Sequence, residues 1–151
     1  MKHPVHSIHH LQQVLENEIP ITRRMGIRVK DYDGSQLVLE APLAPNMNHK
    51  STAFGGSLYA LAVLTGWGLL YLRMQELGLE SHIVIFESSI IYHLPVKTDF
   101  ISQCKMADEK AWRRFLTIFR RKGRAKIPLL ANILTRDGLA VSFRGTYVAH
   151  V

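Results

Sequence analysis

Residues 46–57, Asn-Met-Asn-His-Lys-Ser-Thr-Ala-Phe-Gly-Gly-Ser, bring amides, an imidazole, hydroxyls and two adjacent glycines close together. Bare peptide N–H groups stabilise negative charge developing on oxygen, and an imidazole titrating near neutrality can activate water. That is the chemistry of attack on a polarised carbonyl. The glycines lead directly into Leu58–Leu72, a run apolar on every side and interrupted only by Thr65, Gly66 and Gly68. If the run is helical, Gly55 and Gly56 leave backbone N–H groups uncovered at the positive end of the helix dipole. A second reading stays open, in which the glycines serve only a sharp entry and close packing. A Walker phosphate loop is excluded because Lys50-Ser51 precedes the glycines, and a dinucleotide fingerprint would need three spaced glycines after a strand.

A helix without a polar face must be surrounded. The run falls short of the roughly 20 apolar residues of a membrane span, so no membrane association is expected. In a chain of 151 residues, which fits one domain over 1–151, only a sheet remains to enclose it. The expectation is a central helix over about 57–75, with Ser57 as its N-cap. Before it, Ser7–Glu18 carries apolar residues at helical spacing between a Ser cap and Pro20, which predicts a helix over about 7–18. Two extended runs around Asp33-Gly34 then predict a hairpin. After the central helix, four pieces read as strands: "SHIVIFESSIIYHL", "DFISQCKMA", "AWRRFLTIFRR" and "AKIPLLANILT". A last run, "LAVSFRGTYVAHV", follows the turn signal Arg136-Asp137-Gly138. The class is α+β, a hairpin and a long helix followed by an antiparallel meander.

Nineteen Lys and Arg against twelve Asp and Glu give +7 and a pI near 9.8, which suits nucleic acid, membrane surface or a phosphorylated small molecule. The densest basic stretch, Arg120–Lys126, reads as a solvated hairpin tip around Gly123, and no aromatic interleaving accompanies it. Nucleic acid is therefore not expected as a partner. Cys104 is the single cysteine, so no internal disulfide forms and no Cys cluster holds a metal. The scattered His residues do not converge with acids, and no metal or cofactor is expected. The N-terminus lacks the apolar run of a secretory signal, which leads to a cytoplasmic expectation.

Three stretches, "PNMNHKSTAFGGSLYALAVLTGWG" (45–68), "IIYHLPVKTDF" (90–100) and the final "RDGLAVSFRGTYVAH", resemble the hot-dog-fold thioesterases. The match is nearest to the family named for the C-terminal domain of YiiD and runs from about Pro20 to the C-terminus. The resemblance implies a long helix wrapped by a curved antiparallel sheet, and a homodimer or dimer of dimers pairing through the sheets. It also implies a site at the subunit interface. The substrates implied are acyl thioesters of coenzyme A or acyl carrier protein, whose phosphopantetheine belongs to the substrate, and no metal is used. Where relatives carry His-Gly-Gly this chain has Phe54-Gly55-Gly56, so Gly55 takes the position whose N–H meets the thioester carbonyl. Asn48 matches an Asn that places water in some relatives. Nine residues after their His, relatives carry Asp or Glu on the helix; here that residue is Val63.

Two side chains are candidates for the missing base. Strict alternation along "IVIFESSIIYH" puts Glu87 in one row with Ile83, Ile85, Ser89, Ile91 and His93. If that row faces the helix, desolvation raises the Glu87 pKa and suits it to general-base work; the other reading is an ion pair or an exposed bend. His49 is the second candidate, against simple solvent exposure. The side chains expected beside the substrate are Asn46, Phe54, Ser57 and Ser89. The leading function is acyl-thioester hydrolysis. Val63 motivates an alternative, a non-catalytic acyl-thioester binding module, and a hot-dog dehydratase is a third reading.

Overall fold

The apolar run forms one helix. In the computed structural model, which describes residues 4–106 and 108–151, α3 spans Gly55–Glu76. By length and composition it could cross a membrane, yet more than half of its apolar stretch is buried inside the protein. Leu61, Ala62, Leu69 and Leu70 are fully covered, and each such leucine stabilises the fold by about 1.5–3 kcal/mol relative to exposure.

The cover is a six-stranded antiparallel sheet of β1 (Arg28–Tyr32), β2 (Gln36–Ala41), β3 (His82–Tyr92), β4 (Phe100–Lys105), β5 (Arg124–Thr135) and β6 (Gly138–His150), ordered β1-β2-β4-β5-β6-β3. β5 shows why it packs on α3: Ala125, Ile127, Leu129, Ala131 and Ile133 are buried while the residues between them are exposed. Asp33 closes the β1–β2 hairpin by accepting from the Ser35 and Gln36 N–H groups, at 2.8 and 2.7 Å, with Gly34 at φ +95°. The backbone bonds pull the Asp33 carboxyl below its usual range.

α1 (Pro4–Glu18) starts before the expected Ser7, which lies buried inside it rather than capping it. Its Gln12 acts as a side-chain clamp on the neighbouring strand. The Oε1 accepts from the Val29 N–H at 2.7 Å and the Nε2 donates to the Ile27 carbonyl at 3.1 Å. A short helix, α2 (Ile21–Met25), then ends at Gly26 with φ +71°.

Two expectations are corrected. "AWRRFLTIFRR" is not a strand but most of α4 (Glu109–Lys122). Trp112, Phe115, Leu116 and Phe119 lie one turn apart and bury a single seam. Asp108 caps the start by accepting from the Lys110 N–H, and Gly123 ends the helix in the left-handed region at φ +69° instead of forming a hairpin tip. Nor are the later strands a simple meander, because β3 pairs with β6 rather than with β4. α4 fills a gap in the sheet: β4 pairs with β5 only along Ala131–Leu134, so residues 124–130 of β5 have no strand on that side.

Candidate active site

The loop before α3 is held open by its own side chains. A bridge joins Met47 to Ala53 across the turn. Within it the Asn48 Oδ1 accepts from the Lys50 and Thr52 N–H groups, at 2.9 and 3.1 Å, and Nδ2 donates to the Thr52 hydroxyl at 2.9 Å. Asn48 is thus first a loop staple, with one N–H left for another partner. Asn46, 2% exposed, ties the loop to the body by donating from Nδ2 to the Met25 and Pro42 carbonyls, both at 2.8 Å. Those two carbonyl partners fix its amide orientation. Its Oδ1 is buried and has no partner among the described residues, room for one more donor such as a water molecule.

At the helix start the N-cap is Phe54, not Ser57, and no side chain caps the helix. Ser57 is the third helical residue, and its N–H and that of Leu58 both donate to the Phe54 carbonyl, at 3.0 and 3.1 Å. Gly55 and Gly56 therefore occupy the first two helical positions, and among the described residues neither N–H has an acceptor. Phe54 is 57% exposed and its ring folds back over Gly56, where a Cβ would stand 2.5 Å from it. That contact requires glycine at 56 as long as the ring stays where it is. The result is a pair of amide donors at the positive end of a 22-residue helix, with Gly55 half-buried and Gly56 exposed. They can receive an anionic or strongly polarised oxygen.

β3 supplies the other wall, in a register that strict alternation does not give. A bulge at Phe86, between Ile85 and Glu87 in the ladder with β6, switches the faces. Ile83 and Ile85 pack against the core before it, and Ile90 does so after it. Glu87, Ser89 and Ile91 consequently leave the helix-facing row, and all three are exposed. Glu87 and Ser89 instead border a small outer cleft of about 190 Å³ with Ser88, Arg144 and Thr146. Of the two readings of Glu87, the structure therefore gives the exposed one and not the one that faces the helix.

The side chains that do reach the helix start are ones the sequence reading passed over. Tyr92 donates from its hydroxyl to the Gly55 carbonyl at 3.0 Å, and Tyr59 is hydrogen-bonded to Ser88 at 2.5 Å. Burial, with a smaller effect of Tyr59, pushes the Tyr92 phenol above its ordinary value, so it stays a donor at neutral pH. His49 sits exposed in the loop. Val63 lies half-buried in α3 against the core, and its carbonyl accepts from the Tyr147 hydroxyl at 2.6 Å. Cys104 is buried in β4, and burial pushes its thiol up to about 12. Among the described residues no three His, Cys, Asp or Glu side chains are grouped to hold a metal.

A long helix laid on an antiparallel sheet, with glycine amides at its open end, is the hot-dog fold of thioesterases. The chain belongs to the YiiD_C family, described as "Putative thioesterase (yiiD_Cterm)", whose model matches residues 8–151. It is similar to a protein of unknown function from Chlorobaculum tepidum TLS, at 36% identity over 97% of this chain and 96% of that one, TM-score 0.93. The "putative thioesterase" from Shewanella oneidensis matches at 28% identity over 97% and 98%, TM-score 0.84. A thioesterase from Haemophilus influenzae shares the fold at 16% identity over 94% and 89%, TM-score 0.73.

Proposed function

We propose that this chain hydrolyses acyl thioesters of coenzyme A or of a carrier protein. The observation that carries the reading is the pair of amides at Gly55 and Gly56, which have no acceptor among the described residues. The thioester carbonyl oxygen docks between them; water adds to the carbonyl carbon, and negative charge moves onto that oxygen. Collapse of the intermediate breaks the C–S bond, and the leaving sulfur takes up the proton removed from water, so that thiol and acid are released. Such amide donors lower the barrier by about 3–4 kcal/mol apiece. With Val63 at the acid's place in the helix and Glu87 turned outward, His49 is the candidate to take the proton from water. The remaining Asn48 N–H is the candidate to hold that water. Phe54 and Ser57 flank the acyl entry, and Tyr92 fixes the Gly55 peptide plane. Asn46 contributes through the loop it anchors. No metal or cofactor takes part.

The site is completed by a second copy of the chain. β3 is one of the two edge strands of the sheet, eleven residues long, and exposes Val84, Phe86 and Ile91. A long apolar edge left free invites pairing with another strand, and antiparallel pairing of two β3 strands would bring a second wall beside each helix start. Light scattering on the purified protein is expected to give a dimer, and Val84→Lys to shift it toward monomer; a monomeric wild type would refute this part.

Assay of the folded protein against a panel of acyl-CoA and acyl-carrier-protein thioesters tests the activity. Release of free thiol from at least one class is expected, and no turnover on any of them would refute hydrolysis. Val63 favours one second reading, a module that binds acyl thioesters without cleaving them. Saturable binding without product would select it.

A further inference from the structure

We infer that the basic face of α4, with the groove beside it, docks an acidic amphipathic helix of a partner protein. Residues 108–126 hold eight of the nineteen Lys and Arg but two of the twelve acids, so six of the seven net positive charges sit in this one stretch. All eight cations are exposed, and among the described residues none has an ion-pair partner. Both acids are engaged locally: Asp108 caps α4, and Glu109 lies 3.8 Å from Arg73. Lys110, Arg113, Arg114, Arg120 and Arg121 recur at helical spacing, a stripe about 16 Å long. Net charge spread over the surface would only raise solubility, whereas a stripe of one sign steers and orients a partner of the other.

The groove adds an apolar component. It measures about 650 Å³, with Phe115, Ile118, Ile127 and Pro128 forming its floor and Arg114, Lys122, Arg124 and Lys126 around it. It lies between α4 and the side of β5 on which residues 124–130 have no strand partner among the described residues. Strand addition there is opposed by Pro128, midway along the free edge and without an N–H to offer. A helix with acids one turn apart on one face and apolar residues on the next satisfies the stripe and the floor together. An anionic bilayer fits less well, because Trp112, Phe115, Leu116 and Phe119 are buried in the chain's own core and not free to insert. Nucleic acid leaves the floor unused, since the one aromatic there, Phe115, is 2% exposed and offers no face for base stacking.

The test uses the whole chain and a fluorescein-labelled synthetic helix of about five turns carrying Glu on one face and Leu on the adjacent one. Anisotropy is expected to give binding that weakens at least about tenfold between roughly 0.05 and 0.3 M salt. The same or a larger loss is expected for a peptide with Gln for Glu, and for the protein variant R114E/K122E/R124E/K126E, all four substitutions being on exposed side chains. A peptide with Ala for Leu is expected to bind several-fold more weakly, and hydrogen exchange to slow over residues 111–128. Circular dichroism of the variant establishes that it is folded. Equal binding by the folded variant would overturn the inference. So would phosphatidylglycerol vesicles or a short DNA duplex binding more tightly than the acidic peptide.

Discussion

The two ends of α3 are built on opposite plans. At the C-terminal end the chain itself supplies donors to two carbonyls of the last turn. Leu77, Gly78 and Leu79 donate back to the Met74 and Gln75 carbonyls, and Tyr32 donates to the Glu76 carboxylate at 2.5 Å. Burial first, and Glu76 beside it, push the Tyr32 phenol far above its ordinary range. Arg73 donates to the Gly34 carbonyl at 3.2 Å and lies over the Trp112 ring at 4.8 Å, which locks α4 onto that end. At the N-terminal end of this 22-residue helix two amides have no acceptor among the described residues, the cap residue is an exposed Phe and the loop side chains bond mostly among themselves. One end is tied up by bonds within the chain; the other keeps two amide donors that have no acceptor among the described residues.

That contrast can be broken by substitution. Trp112→Ala removes a ring 4% exposed at the finished end, and its expected cost is about 3–5 kcal/mol. Phe54→Ala at the open end is expected to stay within about 0.5 kcal/mol; urea unfolding of both variants gives the comparison. Glycines inside one helix make the next test. A Cβ at Gly66 would stand 2.3 Å from the buried Tyr147 hydroxyl, so Gly66→Ala should destabilise by about 1–3 kcal/mol despite better helix propensity. At Gly56 the obstruction is the outer edge of the exposed Phe54 ring, which can swing away. Gly56→Ala should therefore change stability by less than about 1 kcal/mol, and equal losses at 56 and 66 would erase the distinction between the ends. Tyr92→Phe has the smallest structural effect, about 1 kcal/mol for its bond to the Gly55 carbonyl. Its expected signature is a lower kcat with little change in KM, because it holds the peptide plane rather than the substrate.

How much of this was legible in the sequence depended on whether a signal was local. The α3 run, the Asp33-Gly34 hairpin and the Gly-Gly entry are all written in adjacent residues, although α3 begins at Gly55, two residues before the expected start, with Phe54 rather than Ser57 as its cap. α4 had its signals too: Asp108, the 112-115-116-119 spacing and Gly123 are a complete set of cap, seam and stop. They were outweighed by the β-forming character of Trp, Phe, Ile and Thr in the same stretch. The bulge at Phe86 had no local mark, since no Gly or Pro sits there, and it arises from pairing with β6. That one extra residue moved Glu87 and Ser89 off the helix-facing row and brought Ser88, Ile90 and Tyr92 onto it. Side chains of a bulged strand follow the ladder, not the alternation.

The central claim is that the Gly55 amide receives the thioester oxygen. Gly55→Pro deletes that single N–H at the first helical position, where proline is tolerated. Phe54 already has φ −64° and ψ 134°, the conformation a residue before proline adopts. The expected result is a kcat/KM about 10²–10³-fold below wild type, with an unchanged far-UV spectrum and melting temperature. Turnover by the folded variant equal to that of wild type would contradict the account.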